Sequence, residues 1–374
     1  MAVLFIAYLV IGVAMPVLPL HVHQGLGFGT FVVGLVAGSQ FAAALFSRMW
    51  AGHLADRKGA KTGLVTGLLV AAGSGALYLL SLRFVARPET SVAFLLVGRA
   101  LLGVAESAII TGALSWGFAR MGPQHTGKVM SWVGTALYGA FAVGAPAGTT
   151  LYAAYGFSAI AVTTALLPLA AVALVMPLRR PAPPTTQVRP SFIKVIRAVW
   201  LPGLGLAISG VGFGAVTTFI ALLFAERGWG PVWLAFTGFS GAFIVGRLLF
   251  GHLPDQIGGA RVALGCMLIE AVGQALVWLA SGPTTAFVGV TLTGLGYSLV
   301  FPALGVEALR SAASESRGVA MGAYGAFLDL SLGLSSPVLG FIAGRTGLGS
   351  VFLVSTMAVL CATTVPLRLL KRWA

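Results

Sequence analysis

The sequence predicts an all-α integral membrane protein, with twelve transmembrane helices in two pseudo-symmetric six-helix bundles. Three observations carry this: a composition unsuited to water, a succession of long apolar runs, and a polar motif that occurs twice. Of 374 residues, 58% are hydrophobic and only 9% are charged, whereas a soluble domain carries roughly 25% charged residues. The mean hydropathy is +0.97. A bilayer core leaves only helices and closed barrels as spanning structures. The apolar runs are continuous rather than alternating with period two, which argues for helices over a barrel. The 51 glycines suit helices packed backbone to backbone.

At about 20 apolar residues per span, the first six spans fall at 2–20, 29–50, 62–82, 91–116, 128–150 and 157–178. The second six fall at 198–224, 231–252, 262–281, 284–306, 317–343 and 347–369. Between the sets runs R-R-P-A-P-P-T-T-Q-V-R-P, from Arg179 to Pro190, proline-rich and basic. Such a stretch cannot continue a helix. The expected division is therefore an N-terminal bundle over 1–178, a cytoplasmic linker over 179–197 and a C-terminal bundle over 198–374.

The duplicated motif lies after the second span of each half. R-M-W-A-G-H-L-A-D-R-K-G-A-K, from Arg48 to Lys61, is answered by R-L-L-F-G-H-L-P-D-Q-I-G-G-A-R from Arg247 to Arg261. Gly52, His53, Leu54, Asp56 and Gly59 recur as Gly251, His252, Leu253, Asp255 and Gly258. The fifth and eleventh spans also correspond: Pro146 meets Pro337, and Tyr138 meets Asp329. Two halves in the same orientation, each of two three-helix units, are a parallel-repeat transporter arrangement.

A net charge of +14 would suggest nucleic acid in a soluble domain, but its placement argues otherwise. One set of loops and ends holds 18 Lys and Arg; the other holds only Arg83, Arg87, Arg227 and Arg345. By the positive-inside rule the rich set is cytoplasmic, with both termini inside. Cys266 and Cys361 both fall in spans and read as packing residues rather than a disulfide or metal pair. The first span starts at Met1 with no basic n-region, so a signal peptide is not expected.

The pattern G-x-L-a-D-r-x-G-r-k after the second span, here Gly52, Leu54, Ala55, Asp56, Arg57, Gly59 and Lys61, resembles the signature of the major facilitator superfamily; only Ala60 departs. Gly98–Ser107, G-A-L-S-W up to Trp116, G-K-V-M-S-W from Gly127 and F-P-A-L-G-V-E-A from Phe301 resemble its YfcJ/YhhS-like subgroup. The resemblance covers essentially the whole chain. It implies the major facilitator fold and export of sugars or other small organic compounds. It also implies that Asp56 meets the N-terminus of the eleventh span, with Arg120 as counter-charge. Conformational gating is thus expected of Gly52, Asp56, Arg57, Gly59 and Arg120, with Gly251 and Asp255 in the second copy, and less firmly of His53. A solvated loop that only fixes orientation is the plainer alternative.

Charges deep in a membrane are costly and so become functional suspects. Arg99 and Glu106 stand seven residues apart in the fourth span, about 10 Å along one helix. Arg99 with Gly103 resembles the superfamily pattern R-x-x-q-G, with Leu102 in place of glutamine. Glu106 is the favoured proton carrier and Asp329 the second; a buried structural hydrogen bond remains an alternative for each. Tyr138 joins them as a cavity candidate, and Tyr8, Gln40, Trp132, Tyr297 and Phe301 are further possible liners. Glu270 is expected to bond Gln274, and Glu307 to meet Arg310 or Arg317. Gly144, Pro146 and Gly148 loosely resemble the antiporter motif G-P-x-x-G, although Ala145 precedes the proline and Thr149 and Thr150 replace glycines. With Pro337 they are assigned to helix bending and packing.

The leading expectation is a proton-coupled exporter of a small organic solute, sugar-like or drug-like, working by alternating access around a midplane site between the halves. A proton-coupled importer uses the same parts, and a non-transporting receptor on the same fold is a further alternative. No enzyme motif such as H-E-x-x-H or G-x-S-x-G occurs. The expected energy source is the proton gradient, without a cofactor or metal. The expected partners are a small-molecule substrate and the lipid bilayer, not nucleic acid. The chain is expected to act as a monomer in the bacterial inner membrane.

Overall fold

The computed structural model describes residues 2–121, 126–178, 192–311 and 317–373. It divides into two units, Met1–Thr186 and Gln187–Ala374. Residues 179–191 of the expected linker lie outside the described residues. Its last six, Phe192–Arg197, are instead the start of a helix, because the last proline, Pro190, precedes them and an apolar run follows.

In the first unit, α1 (Ala2–Ala14), α2 (Leu18–Leu20) and a π-turn at His21–Gly25 form the first span. Then come α3 (Thr30–Lys58), α4 (Ala60–Leu82), α5 (Pro88–Met121), α6 (Thr126–Tyr155) and α7 (Phe157–Val175). In the second unit, α8 (Phe192–Glu226), α9 (Val232–Phe250), the short α10 (Leu253–Ile257) and α11 (Gly259–Trp278) lead to a tenth span made of α12 (Pro283–Tyr297) and α13 (Val300–Ser311). The eleventh is α14 (Arg317–Thr346), and the last is α15 (Gly349–Ala362) continued by α16 (Thr364–Trp373). Eleven of these stretches are long and apolar enough to cross a membrane. The 30-residue α6 occupies the place of the fifth span.

Packing repeats between the units. In the first, α1 lies against α6 and α7, α3 against α5, and α4 against α5 and α7. In the second, α8 lies against α14 and α15, α9 against α12, and α11 against α12 and α15. The fourth and tenth spans both open on a proline, Pro88 and Pro283, whose missing N–H is harmless in a first helical turn.

The signature loop is tighter than its polar composition suggests. Helix α3 runs through the motif to Lys58, and the chain reverses at Gly59 alone, with φ +88°. In the second copy α9 ends at Phe250, α10 carries Asp255, and Gly258 turns with φ +94°. Only glycine takes this conformation cheaply, which accounts for the recurrence of Gly59 as Gly258.

Candidate functional site

The fourth span, α5, carries two embedded charges of the first unit, Arg99 and Glu106. Gly103 brings it so close to α3 that an added Cβ would collide with the Gln40 carbonyl. That approach sets the Gln40 side chain, itself fully buried, beside the acid one turn further on. Gln40 Nε2 donates to Glu106 Oε2 across 2.7 Å. On the same seam Ser107 Oγ donates to the Ala44 carbonyl at 2.9 Å. Glu106 is half-buried, and the Tyr8 phenol of α1 lies within electrostatic reach of both Glu106 and Arg48. The carboxylate thus has the Gln40 amide donor on one side and the Tyr8 phenol within electrostatic reach.

Arg99 is buried to 7% exposure on the same helix. Asp329 belongs to the other unit, on α14, also at 7%, and its repeat counterpart Tyr138 on α6 is at 8%. Tyr138 rests edge-on against Phe141 at 5.7 Å. None of the four lies on an exposed helix face.

Several gating candidates lie at or near helix ends. Asp56 and Arg57 are exposed in the last turn of α3, and Arg120 is exposed in the last turn of α5. Asp255 is exposed on α10, and Gly251 is exposed at the end of α9. Gly52 lies inside α3, where an added Cβ would meet nothing within 4 Å among the described residues. The turn is the work of Gly59. His53 Nδ1 bonds the Met49 carbonyl at 2.7 Å, one turn back on its own helix. Lys61 received no role from the sequence. Its Nζ donates to the carbonyls of Met176 and Leu178 at 2.6 and 2.7 Å, capping the end of α7, where helical carbonyls lack partners.

Gly144 and Gly148 form the crossing of α6 over α1. An added Cβ at Gly144 would stand 2.7 Å from the Gly12 backbone, and one at Gly148 would collide with the Val13 carbonyl. Pro146 lies inside α6 and Pro337 inside α14. Thr149 and Thr150, which replace the glycines of the antiporter pattern, bond back to carbonyls of Ala145 and Pro146 at 2.8 to 3.1 Å. A groove of about 520 Å³ runs between α1 and α6, lined by Ala2, Phe5, Trp132, Thr135, Ala136 and Gly139. Of the six expected cavity liners, Trp132 alone borders it. Tyr8, Gln40, Tyr138 and Tyr297 are buried in the packing instead, and Phe301 lies against the Tyr324 ring at 5.1 Å.

Two acids of the second unit are enclosed. The expected Glu270–Gln274 bond is not made; Ser209 Oγ donates to Glu270 Oε2 at 2.6 Å. Gln274 Nε2 instead donates to the Gly212 carbonyl and to Thr293 Oγ1, while Ser355 donates to Gln274 Oε1. These residues tie α8, α11, α12 and α15 together. Glu307 meets Arg310 at 3.3 Å and also accepts from the Ala260 N–H at the start of α11. Glu307 thus anchors the N-terminus of α11.

With this geometry in hand, comparison with known proteins is decisive for the family. The model described as Major Facilitator Superfamily matches residues 1–237 and 203–372. The chain belongs to the major facilitator superfamily. An uncharacterized MFS-type transporter of Pseudomonas aeruginosa is 44% identical over 368 residues, covering 98% of this chain and 91% of the relative. One from Salmonella typhimurium is 40% identical over 371 residues, covering 99% and 95%. Among solved structures, the nucleoside transporter NupG aligns with a TM-score of 0.77 over 98% of this chain and 97% of its own. The human organic anion transporter MFSD10 aligns with a TM-score of 0.70 over 97% of each. Both are 14% identical, so they speak for the fold alone. This superfamily member is a multi-pass membrane transporter, not an enzyme.

Proposed function

We propose that this transporter is a proton-coupled exporter of a small organic solute, with Glu106 as the group that takes and releases the proton. The observation that carries the reading is the Gln40–Glu106 bond at 2.7 Å, in a half-buried setting between two spans. An ionisable carboxylate is expensive in such a setting unless it has a task or a partner. One partner here is a neutral amide, which donates to the carboxyl without adding a charge of its own. Tyr8 on α1 and Arg48 on α3 supply further polar groups.

The outward direction is supported by the likeness of Gly144, Pro146 and Gly148 to an antiporter pattern. A cytoplasmic placement for both termini is supported by the concentration of Lys and Arg in one set of loops. Asp56, Arg57 and the Gly59 turn are assigned to closing the cytoplasmic end, with the second copy at Gly251 and Asp255 in the same office.

The test is uptake into inverted membrane vesicles acidified inside, with sugars and small organic acids as radiolabelled solutes. An exporter driven by protons accumulates its solute in the lumen, and Glu106→Gln loses that accumulation. Accumulation only when the gradient is reversed would make the protein an importer. Unchanged accumulation in Glu106→Gln would remove the coupling role from this residue.

A further inference from the structure

Arg99 has no counterpart to neutralise it among the described residues. Among the described residues its guanidinium makes no hydrogen bond and no ion pair, and its Nε is buried with no partner. The acids of the spans are better served: Glu106 has Gln40, Glu270 has Ser209, and Glu307 has Arg310 and a helix N-terminus. Arg99 is also the twelfth residue of the 34-residue α5, roughly 16 Å in from the helix start at 1.5 Å per residue. That depth is beyond easy reach of the bilayer surface for its side chain. A carboxylate or lysine so placed could turn neutral; a guanidinium cannot.

Other buried polar groups of the same unit also lack partners among the described residues. The preceding residue, Gly98, packs on the Tyr78 ring and the Ser74 carbonyl of α4. The hydroxyls of Ser74 and Tyr78 are buried without partners, as is that of Tyr8 on α1. Among its described residues the first unit therefore holds a buried cation, Arg99, whose Nε has no partner, and three buried hydroxyls that make no hydrogen bond, beside the unpartnered Gln40 Oε1 and His21 Nε2. Of these groups Arg99 is the one that carries a charge, and an oxyanion would neutralise it. The planar fork of a guanidinium matches a carboxylate with two parallel bonds.

We propose that the solute is a small organic anion and that its carboxylate, or an oxyanion of like size, is received by Arg99. This inference rests on the transporter reading above and names the substrate class of the same site. Arg99 is then a binding residue, charged in every state of the cycle, while the proton travels on a different side chain.

The experiment compares the thermal stability of the purified full chain with matched probes at equal ionic strength: gluconate against glucose, and benzoate against benzamide. In at least one pair the anion raises the melting temperature and the neutral partner does not. Arg99→Gln weakens that anion's apparent affinity about ten- to a hundredfold, the loss of a charge-assisted pair, and Arg99→Lys keeps part of it. Without probes, Arg99→Gln melts no lower than the parent chain, since it removes a charge that has no partner; this separates lost binding from failed folding. The proposal is overturned if neutral partners stabilise as strongly, if no anion does, or if Arg99→Gln responds like the parent. Transport separates the two readings. Glucose driven by a pH gradient without regard to Arg99 sinks the anion assignment and spares the transporter. Anions that bind through Arg99 but never move under any gradient sink the transporter reading and spare the anion site.

Discussion

Gln40 and Glu106, 66 residues apart in the chain, are joined by a 2.7 Å hydrogen bond between α3 and α5. The bond exists because Gly103 has no side chain to hold the two helices apart. Gln40→Leu is expected to lower stability by about 1 kcal/mol, the usual worth of an interhelical polar contact in a membrane, and to slow transport far more than that loss implies. Parallel unfolding curves and flux assays check this. A variant with full flux would show that the amide does not set the acid for its task.

The turn glycines give a sharper contrast. Gly59→Ala and Gly258→Ala each force a residue with a Cβ to a φ near +90°, at a cost of about 1–3 kcal/mol. Gly52→Ala, inside α3 with no atom within 4 Å of the new Cβ, is expected to be neutral or to stabilise by about 0.5–1 kcal/mol through helix propensity. Thermal melting of the three variants distinguishes them. Any defect of Gly52→Ala then belongs to transport, not folding.

The α1–α6 crossing tolerates no bulk. Gly148→Val pushes into the Val13 carbonyl and Gly144→Val into the Gly12 backbone, and each is expected to cost at least about 1–3 kcal/mol as an overpacked contact. Val143 is exposed on the same helix, so Val143→Leu is the control and should change melting little. If all three behave alike, the glycines serve something other than close packing.

Glu270 is expected to be a structural acid. Glu270→Ala strands the buried Ser209 hydroxyl and is expected to cost about 1–3 kcal/mol. Glu270→Gln keeps an acceptor for Ser209 and should fold and transport nearly as the parent does. A changed pH profile of transport in Glu270→Gln would mark this acid as the coupling group in place of Glu106.

How much of this was legible in the sequence depends on range. The spans were, because lipid demands long apolar helices and leaves few alternatives; α4 ends at Leu82 and α7 starts at Phe157, as the hydropathy implies. The repeat was legible in Gly59 and Gly258 because a left-handed turn admits one residue type. Gln40 stood out as polar in an apolar run, yet nothing local says that Glu106 is its partner. The Glu270–Gln274 expectation followed i, i+4 spacing on one helix, and it failed because Ser209 and Ser355 reach in from other helices. Lys61 was read as part of a motif, and its capping of α7 is visible only once the chain is folded.

The most direct test of the account records protons and solute together. Proteoliposomes enclosing a pH-sensitive dye are given a gradient of whichever probe anion binds best, and the dye is followed in the parent and in Glu106→Gln. The account predicts that the parent moves protons whenever the anion moves, and that Glu106→Gln still exchanges the anion with no dye signal. Proton movement at the parent rate in Glu106→Gln would contradict it.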